Sequence, residues 1–234
     1  MLIPHPVRLA LAAAVSIAAS ATPLPAQTPP GDVEISLYTG LHAAAASGDV
    51  IGIAVAVAAR VDPNVRDGNG RTPLHVAAFR KQHTAARGLL AGGADPNALD
   101  RQKYDVVTIA AVANDLEMLS IALEGGASAK NVTSPYAGTA LIAAAHLGHA
   151  DVVKMLIAAG APLDQVNNLG WTALMESIVL GDGGRGHTDT LKALVEAGAN
   201  VDLADRNGVT PLSHAKQRGL AEMVKILERA GAKR

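Results

Sequence analysis

A Gly-Ala pair recurs along the chain at intervals of 33, 34, 38 and 33 residues. The pairs begin at Gly93, Gly126, Gly160, Gly198 and Gly231. A short motif, most often Thr-x-Leu-x, recurs with nearly the same period and begins at Thr39, Thr72, Asp105, Thr139, Thr172 and Thr210. Self-similarity at a period of this length is the signature of stacked structural repeats. The sequence therefore predicts a solenoid and not a single globular core.

Each unit has the residues of a helix pair. Thr72 can cap a helix N-terminus with its hydroxyl, and Pro73 suits the first helical position because a missing N–H costs nothing there. Farther along, residues 152–157 place Val, Val, Leu and Ile at helical spacing, and Gly160 supplies a left-handed residue that ends this second helix. One such unit cannot bury its own apolar face, whereas stacked units bury a continuous one.

Residues 67–78, with Leu-Leu at 89–90 and Gly-Ala-Asp-Pro-Asn at 93–97, make the unit resemble an ankyrin repeat. The resemblance spans residues 37–234. It implies an all-α repeat solenoid of five to six units, each a helix-turn-helix followed by a β-hairpin or loop. We number the units repeats 1 to 6, and their approximate bounds are 37–66, 67–99, 100–130, 131–166, 167–204 and 205–234.

Several units depart from this pattern. Repeat 1 ends in Arg60-Val61 instead of Gly-Ala, and its second helix is unusually apolar. In repeat 3, Asp105 replaces Thr as the expected helix cap. Repeat 4 has one extra residue within 133–138, and repeat 5 has a Gly-rich insertion at 181–186. We interpret this insertion as a flexible loop between two helices.

The first 26 residues are typical of a secretory signal peptide. A weakly cationic start at 1–8 precedes an apolar run of about a dozen residues at 9–21, too short to span a bilayer. Small residues allow cleavage after Ala21 or Ala26, and 27–36 is predicted to be a linker. Export to the periplasm or beyond, with no membrane insertion after cleavage, is the expected outcome. A buried core helix and an uncleaved anchor are the alternatives.

Composition excludes several classes of function. Lys and Arg total 20 against 21 Asp and Glu, so the chain has no excess of cationic residues for nucleic acid. It has no cysteine, which rules out disulfides, thiolate zinc sites and cysteine nucleophiles. Aromatic residues make up only 2% of the chain, which suits helices packed closely through alanine.

Few residues suggest catalysis or metal binding. The insertion resembles a phosphate-binding loop, but His187 stands where that loop requires Lys, and the insertion follows a helix. His149 with Asp151, and His187 with Asp189, occupy the same repeat position, so both pairs are interpreted as scaffold. We therefore predict no enzyme activity, no cofactor and no metal.

The ankyrin resemblance implies that a partner protein binds the concave face, formed by turn tips and the exposed side of each first helix. In this register those positions are Arg71, Phe79, Arg80, Tyr104, Val112, Tyr136, His146, Leu147, Trp171, Val179 and Leu180. Exposed aromatic and apolar residues are typical of binding hot spots. The alternative is that these side chains pack on neighbouring turns.

The sequence thus predicts a monomeric, non-enzymatic adaptor that binds an unidentified protein through its concave face. One alternative is a periplasmic protein that binds a ligand or metal, or supports an enzyme, through the loop at 181–187. Another is a secreted effector that acts in a host cell.

Overall fold

The structure, a computed structural model, describes residues 27–233, and these form thirteen α-helices. The helices are α1 Asp32–Ser36, α2 Gly40–Ser47, α3 Val50–Ala58, α4 Pro73–Phe79, α5 His83–Ala91, α6 Val106–Val112, α7 Leu116–Glu124, α8 Ala140–His146, α9 Ala150–Ala158, α10 Ala173–Val179, α11 Arg185–Glu196, α12 Pro211–Gln217 and α13 Ala221–Arg229. The signal peptide predicted at residues 1–26 lies outside the described residues.

Helices α2 to α13 form six pairs, one for each predicted repeat. The first helices α2, α4, α6, α8, α10 and α12 stack in order, and the second helices stack beside them in the same way. Each helix therefore contacts its own partner and the equivalent helices of neighbouring repeats. The predicted all-helical repeat solenoid is confirmed.

Helix caps follow the repeat motif. The Thr72 hydroxyl accepts a hydrogen bond from the His75 backbone N–H. In turn, the Thr72 backbone N–H donates to His75 Nδ1 at 3.1 Å. Asp105 performs the same task in repeat 3, where its Oδ1 accepts from Thr108 N at 2.8 Å. The replacement of Thr by Asp at this cap is thus explained, because both side chains provide an oxygen that accepts from the first backbone N–H groups of the helix, which have no partner within the helix.

The connections between repeats are tight turns. The Asp67 N–H donates to the Arg71 carbonyl, and the Gly70 N–H donates to the Asp67 carbonyl, each at 3.0 Å. Within residues 27–233 no strand forms, and the only ladder contact is an isolated bridge between Thr133 and Gly138. In place of the extended hairpin expected after each helix pair there is a turn. The residues on either side of this turn are too few to form paired β-strands.

The insertion in repeat 5 is partly helical, so its interpretation as a loop was wrong in part. Helix α11 has twelve residues where α9 has nine, and it begins at Arg185, inside the inserted segment. His187 therefore lies on the first turn of a helix. It contacts Asp182 Oδ1 at 2.8 Å and the His146 carbonyl at 3.0 Å, which secures the insertion to repeat 4.

The core is a continuous layer of small and branched apolar side chains. Leu141 and Leu156 of repeat 4 are fully buried, as is Ala145 between neighbouring first helices. In repeat 1, by contrast, α3 buries Ile53 but leaves Ile51 exposed. Among residues 27–233, every helix is too short or too polar to cross a bilayer.

Candidate partner-binding surface

A cavity of about 160 Å³ opens on the first-helix side of repeats 3 to 5. We call it the groove. It brings together five of the residues predicted for partner binding, namely Tyr104, Val112, Tyr136, His146 and Leu147. Val112 and His146 end the first helices α6 and α8, Leu147 follows α8, and the two tyrosines lie on the turns before those helices. The repeat register places these side chains on one face because equivalent positions of stacked repeats align.

The groove has one polar end. Glu176 of α10 is only 1% exposed, and its two carboxylate oxygens have separate partners. Oε2 contacts His146 Nδ1 at 3.1 Å, and Oε1 accepts from Asn167 Nδ2 at 2.8 Å. Because both oxygens are engaged, the carboxylate fixes the imidazole at the edge of the groove. The arrangement has the features of a binding surface, with an apolar wall and a fixed polar group.

Glu176 was missed by the sequence analysis, although a signal was present. It lies four residues after the capping Thr172, and the equivalent residues of repeats 1 to 4, Ala43, Val76, Ile109 and Ala143, are apolar, while repeat 6 has His214. A buried ionisable side chain at this register position needs a polar partner. Here the partners are His146 and Asn167.

Tyr104 is a wall of the groove and not an exposed turn tip. It is 6% exposed, so the expectation that it projects into solvent was wrong. Burial raises the pKa of its hydroxyl above the ordinary value, and the neighbouring Tyr136 and Asp100 raise it further. The short turn after Asp100 folds the ring back between repeats, because the backbone N–H groups of Gln102 and Tyr104 both bind the Asp100 carboxylate.

Arg71 is also buried, at 2% exposure, so the expectation that it projects from its turn was wrong. Its Nε donates to Asp67 Oδ2 at 2.8 Å, one Nη contacts the Glu34 carboxylate, and the other donates to the Thr28 carbonyl at 3.2 Å. The guanidinium therefore joins the turn of repeat 2 to the segment before repeat 1. The repeat pattern could not reveal this contact, since Thr28 and Glu34 precede the repeats.

The remaining predicted residues lie outside the groove. Arg80 is exposed, and the others are half-buried: Phe79, Trp171, Val179 and Leu180. Leu147 is the most exposed of the large apolar side chains that line the groove, at 40%. Within the predicted strip, Leu147 of repeat 4 is thus the apolar side chain that is exposed.

The histidines outside the groove have structural roles. The His75 ring contacts the Tyr104 carbonyl at 3.1 Å, the His42 ring contacts the Arg71 carbonyl at 2.9 Å, and burial lowers the pKa of His75. His149 contacts the Ala111 carbonyl at 3.0 Å. Across residues 27–233 there is no cluster of three or more His, Asp or Glu side chains that could hold a metal ion.

Comparison with known proteins places this architecture in a family. The family described as "Ankyrin repeats (3 copies)" matches residues 25–100 and 107–205. A putative ankyrin repeat protein of Escherichia coli K12, YahD, is 35% identical over 190 residues, which are 81% of this chain and 94% of that protein. The crystal structure of an ankyrin repeat domain from Acinetobacter baumannii AYE is 44% identical, with a TM-score of 0.79 over 82% of this chain and 98% of that one.

A more distant relative has the same fold. The crystal structure of the ankyrin repeat domain of Bcl-3, a member of the IkappaB protein family, is 25% identical, with a TM-score of 0.76. The match covers 84% of this chain and 87% of that one. The repeated caps, the stacked helix pairs and these similarities agree, and the chain belongs to the ankyrin repeat family.

Proposed function

We propose that this protein is a non-enzymatic adaptor that binds a segment of a partner protein through the groove. Ankyrin repeats generally mediate protein–protein interaction. The observation that carries the proposal is the convergence of Val112, Tyr136, His146 and Leu147, from successive repeats, on one cavity of about 160 Å³. Residues that are far apart in the sequence therefore form a single surface, which an extended segment or a helix can contact.

The groove fits an apolar anchor with a polar neighbour. A cavity of about 160 Å³ accommodates a ring-sized apolar group. Binding energy at protein interfaces concentrates on a few anchors that fill such cavities, while the surrounding contacts exclude water. His146, held by Glu176 at the edge, offers a polar contact beside that anchor. An extended segment with one large apolar side chain therefore meets the requirements of this surface.

The proposed place of action is outside the cytoplasm. Residues 1–26 have a short cationic start, an apolar run and small residues before Thr22 and Gln27, as expected of a cleaved export signal. The proposal is supported by this sequence pattern, and it assigns the adaptor to the periplasm or to the medium.

Leu147→Asp is the variant that tests the groove. A charge placed at the mouth of an apolar cavity must be desolvated when a partner binds, so we expect capture of partners from a periplasmic extract to fall by about tenfold or more. The matched control is Leu116→Asp on α7, because Leu116 is 38% exposed and Leu147 is 40% exposed. Quantitative mass spectrometry of the captured proteins gives the comparison. Equal capture by both variants, with helical circular dichroism unchanged, would rule out the groove.

A further inference from the structure

The second helix of repeat 1, α3, has an apolar outer face. Ile51 and Val55 lie one turn apart on this helix and are 78% and 63% exposed. Ala54 and Ala58 are exposed as well. Residues spaced by three, four and seven positions share one side of a helix, so these four side chains form a single apolar surface. We call it the α3 stripe.

The other five repeats have polar residues where the α3 stripe has Ile51 and Ala54. The equivalents of Ile51 are Thr84, Glu117, Asp151, Asp189 and Glu222. The equivalents of Ala54 are Arg87, Ser120, Lys154, Lys192 and Lys225. The outer face of a second helix is therefore polar throughout the solenoid except in repeat 1. A contiguous apolar surface that is exposed in this way marks a site of interaction.

Val55 lies on the side of α3 that a preceding repeat would cover. Its equivalent in repeat 2, Gly88, faces repeat 1, because a Cβ on Gly88 would lie 3.4 Å from Ile53 Cγ2. Its equivalent in repeat 3, Ile121, is buried. Within the described part of the chain no repeat precedes repeat 1, and the segment before it runs along the turns, where Thr28 contacts repeats 2 and 3. The α3 stripe is therefore open to another molecule.

We propose that the α3 stripe binds the same stripe of a second copy of this chain, with the two α3 helices antiparallel about a two-fold axis. The stripe is self-complementary about the point between Ala54 and Val55. In this register Ile51 packs on Ala58 of the second copy, and Val55 packs on Ala54 of the second copy, so each large side chain meets a small one. The four contacts are then repeated by the two-fold axis, as an interface between identical copies requires.

Charge favours the same arrangement. Residues 50–59 contain no charged residue, so the two copies bring no like charges together along the seam. Asp49 precedes α3 and Arg60 follows it, and both are exposed. An antiparallel pair places each Asp49 beside Arg60 of the second copy, whereas a parallel pair would place like charges together. A head-to-tail contact is disfavoured, because the last helix α13 exposes Glu228 and Arg229.

A dimer formed in this way presents two grooves. A partner with two binding segments is then held with higher avidity than a single groove provides. This consequence rests on the proposed function, whereas the dimer itself is measurable without any partner. A failure of dimerisation and a failure of partner binding are thus distinguishable. The proposal departs from the monomer that the sequence predicts.

Sedimentation equilibrium of the full chain measures the dimer, from about 10 µM to about 1 mM, the range in which small interfaces dissociate. Ile51→Glu introduces the residue type that repeats 3 and 6 have at this position, so the helix tolerates it. Because the change buries two carboxylates in the seam, we expect the dissociation constant to rise about tenfold or more. The control Val132→Glu, at a residue 50% exposed in repeat 4, should leave it unchanged.

Disulfide formation tests the register, because the chain has no cysteine of its own. Ile51→Cys and Ala58→Cys are made as separate proteins, one of them isotope-labelled, and are mixed with the thiol oxidant diamide. The antiparallel seam brings position 51 of one copy to position 58 of the other and keeps the two copies of position 51 apart. We therefore expect the mixed disulfide to form about tenfold faster than either symmetric one, as read by mass spectrometry.

The outcomes are separable. A dimer that Ile51→Glu weakens and Val132→Glu does not, with preferential linkage of position 51 to position 58, supports the proposal. A monomer at every concentration, equal loss in both variants, or preferential linkage of position 51 to itself overturns it.

Two further measurements complete the test. If Ile51→Glu disturbs the helical circular dichroism, Ala54→Lys replaces it, because repeats 4 to 6 have Lys at this position. Vesicles of phosphatidylethanolamine and phosphatidylglycerol are added to the wild type and to the variant. Vesicle binding by a monomeric wild type that the variant loses would assign the α3 stripe to a lipid surface and overturn the second copy.

Discussion

Replacing Arg71 with alanine is expected to lower the free energy of unfolding by about 3 kcal/mol. The guanidinium is 2% exposed and forms charged hydrogen bonds with Asp67 and Glu34, so its removal leaves the buried Asp67 carboxylate without its cation. It also removes the donor to the Thr28 carbonyl. Urea denaturation measures the free energy of unfolding. Limited proteolysis near residues 27–31 measures whether the segment before repeat 1 is released from the turn of repeat 2.

Arg80→Ala is the matched control for this prediction. Arg80 lies nine residues further on, follows the same helix α4 and is exposed, so the change is expected to stay within about 0.5 kcal/mol. A loss of stability in Arg71→Ala no larger than in Arg80→Ala would show that the buried ion pairs do not hold the segment.

Leu141→Ala is expected to cost about 3 kcal/mol, because a fully buried leucine is replaced by a cavity. Leu141 lies on α8, which packs against α6, α9 and α10. The cavity thus weakens contacts with both neighbouring repeats. In a solenoid whose stability is a sum of repeat and nearest-neighbour contributions, damage in a central unit affects the whole array.

Leu212→Ala gives the comparison, since Leu212 has the same place in its motif and is 2% exposed. Its helix α12 packs against α10 and α13 and has no following repeat within the described residues. We expect hydrogen exchange to rise only in repeat 6 for Leu212→Ala and throughout repeats 3 to 5 for Leu141→Ala. Loss of protection confined to repeat 4 in Leu141→Ala would contradict coupled stacking.

The repeat register was sufficient to predict the six helix pairs and the side-chain caps of α4 and α6, but not helix α1, which forms within the predicted linker 27–36. Asp105 was expected to replace Thr because both residue types accept from the first amides of a helix, and the structure confirms the bond. The groove residues Val112, His146 and Leu147 were also identified from register alone, since equivalent positions of stacked repeats share a face. These features depend on local chemistry and on periodicity, and both can be read from one sequence.

Other features depend on contacts that periodicity does not encode. Arg71 was expected on an exposed tip but is buried, because Thr28 and Glu34 come from a segment outside the repeats. Gln27 belonged to a predicted linker with no pattern, yet it lines the groove. The helical part of the insertion was missed because Gly-rich sequence favours loops, whereas the contact of His187 with the His146 carbonyl stabilises a helix there.

The most direct test of the central claim is hydrogen exchange of the protein with and without a partner captured by the Leu147 experiment. Binding through the groove predicts added protection at the C-terminal ends of the first helices α6 and α8 and in the turns around Tyr104 and Tyr136. The second helices α7 and α9 should remain unchanged. Protection confined to α7 and α9, with the first helices unaffected, would contradict the account.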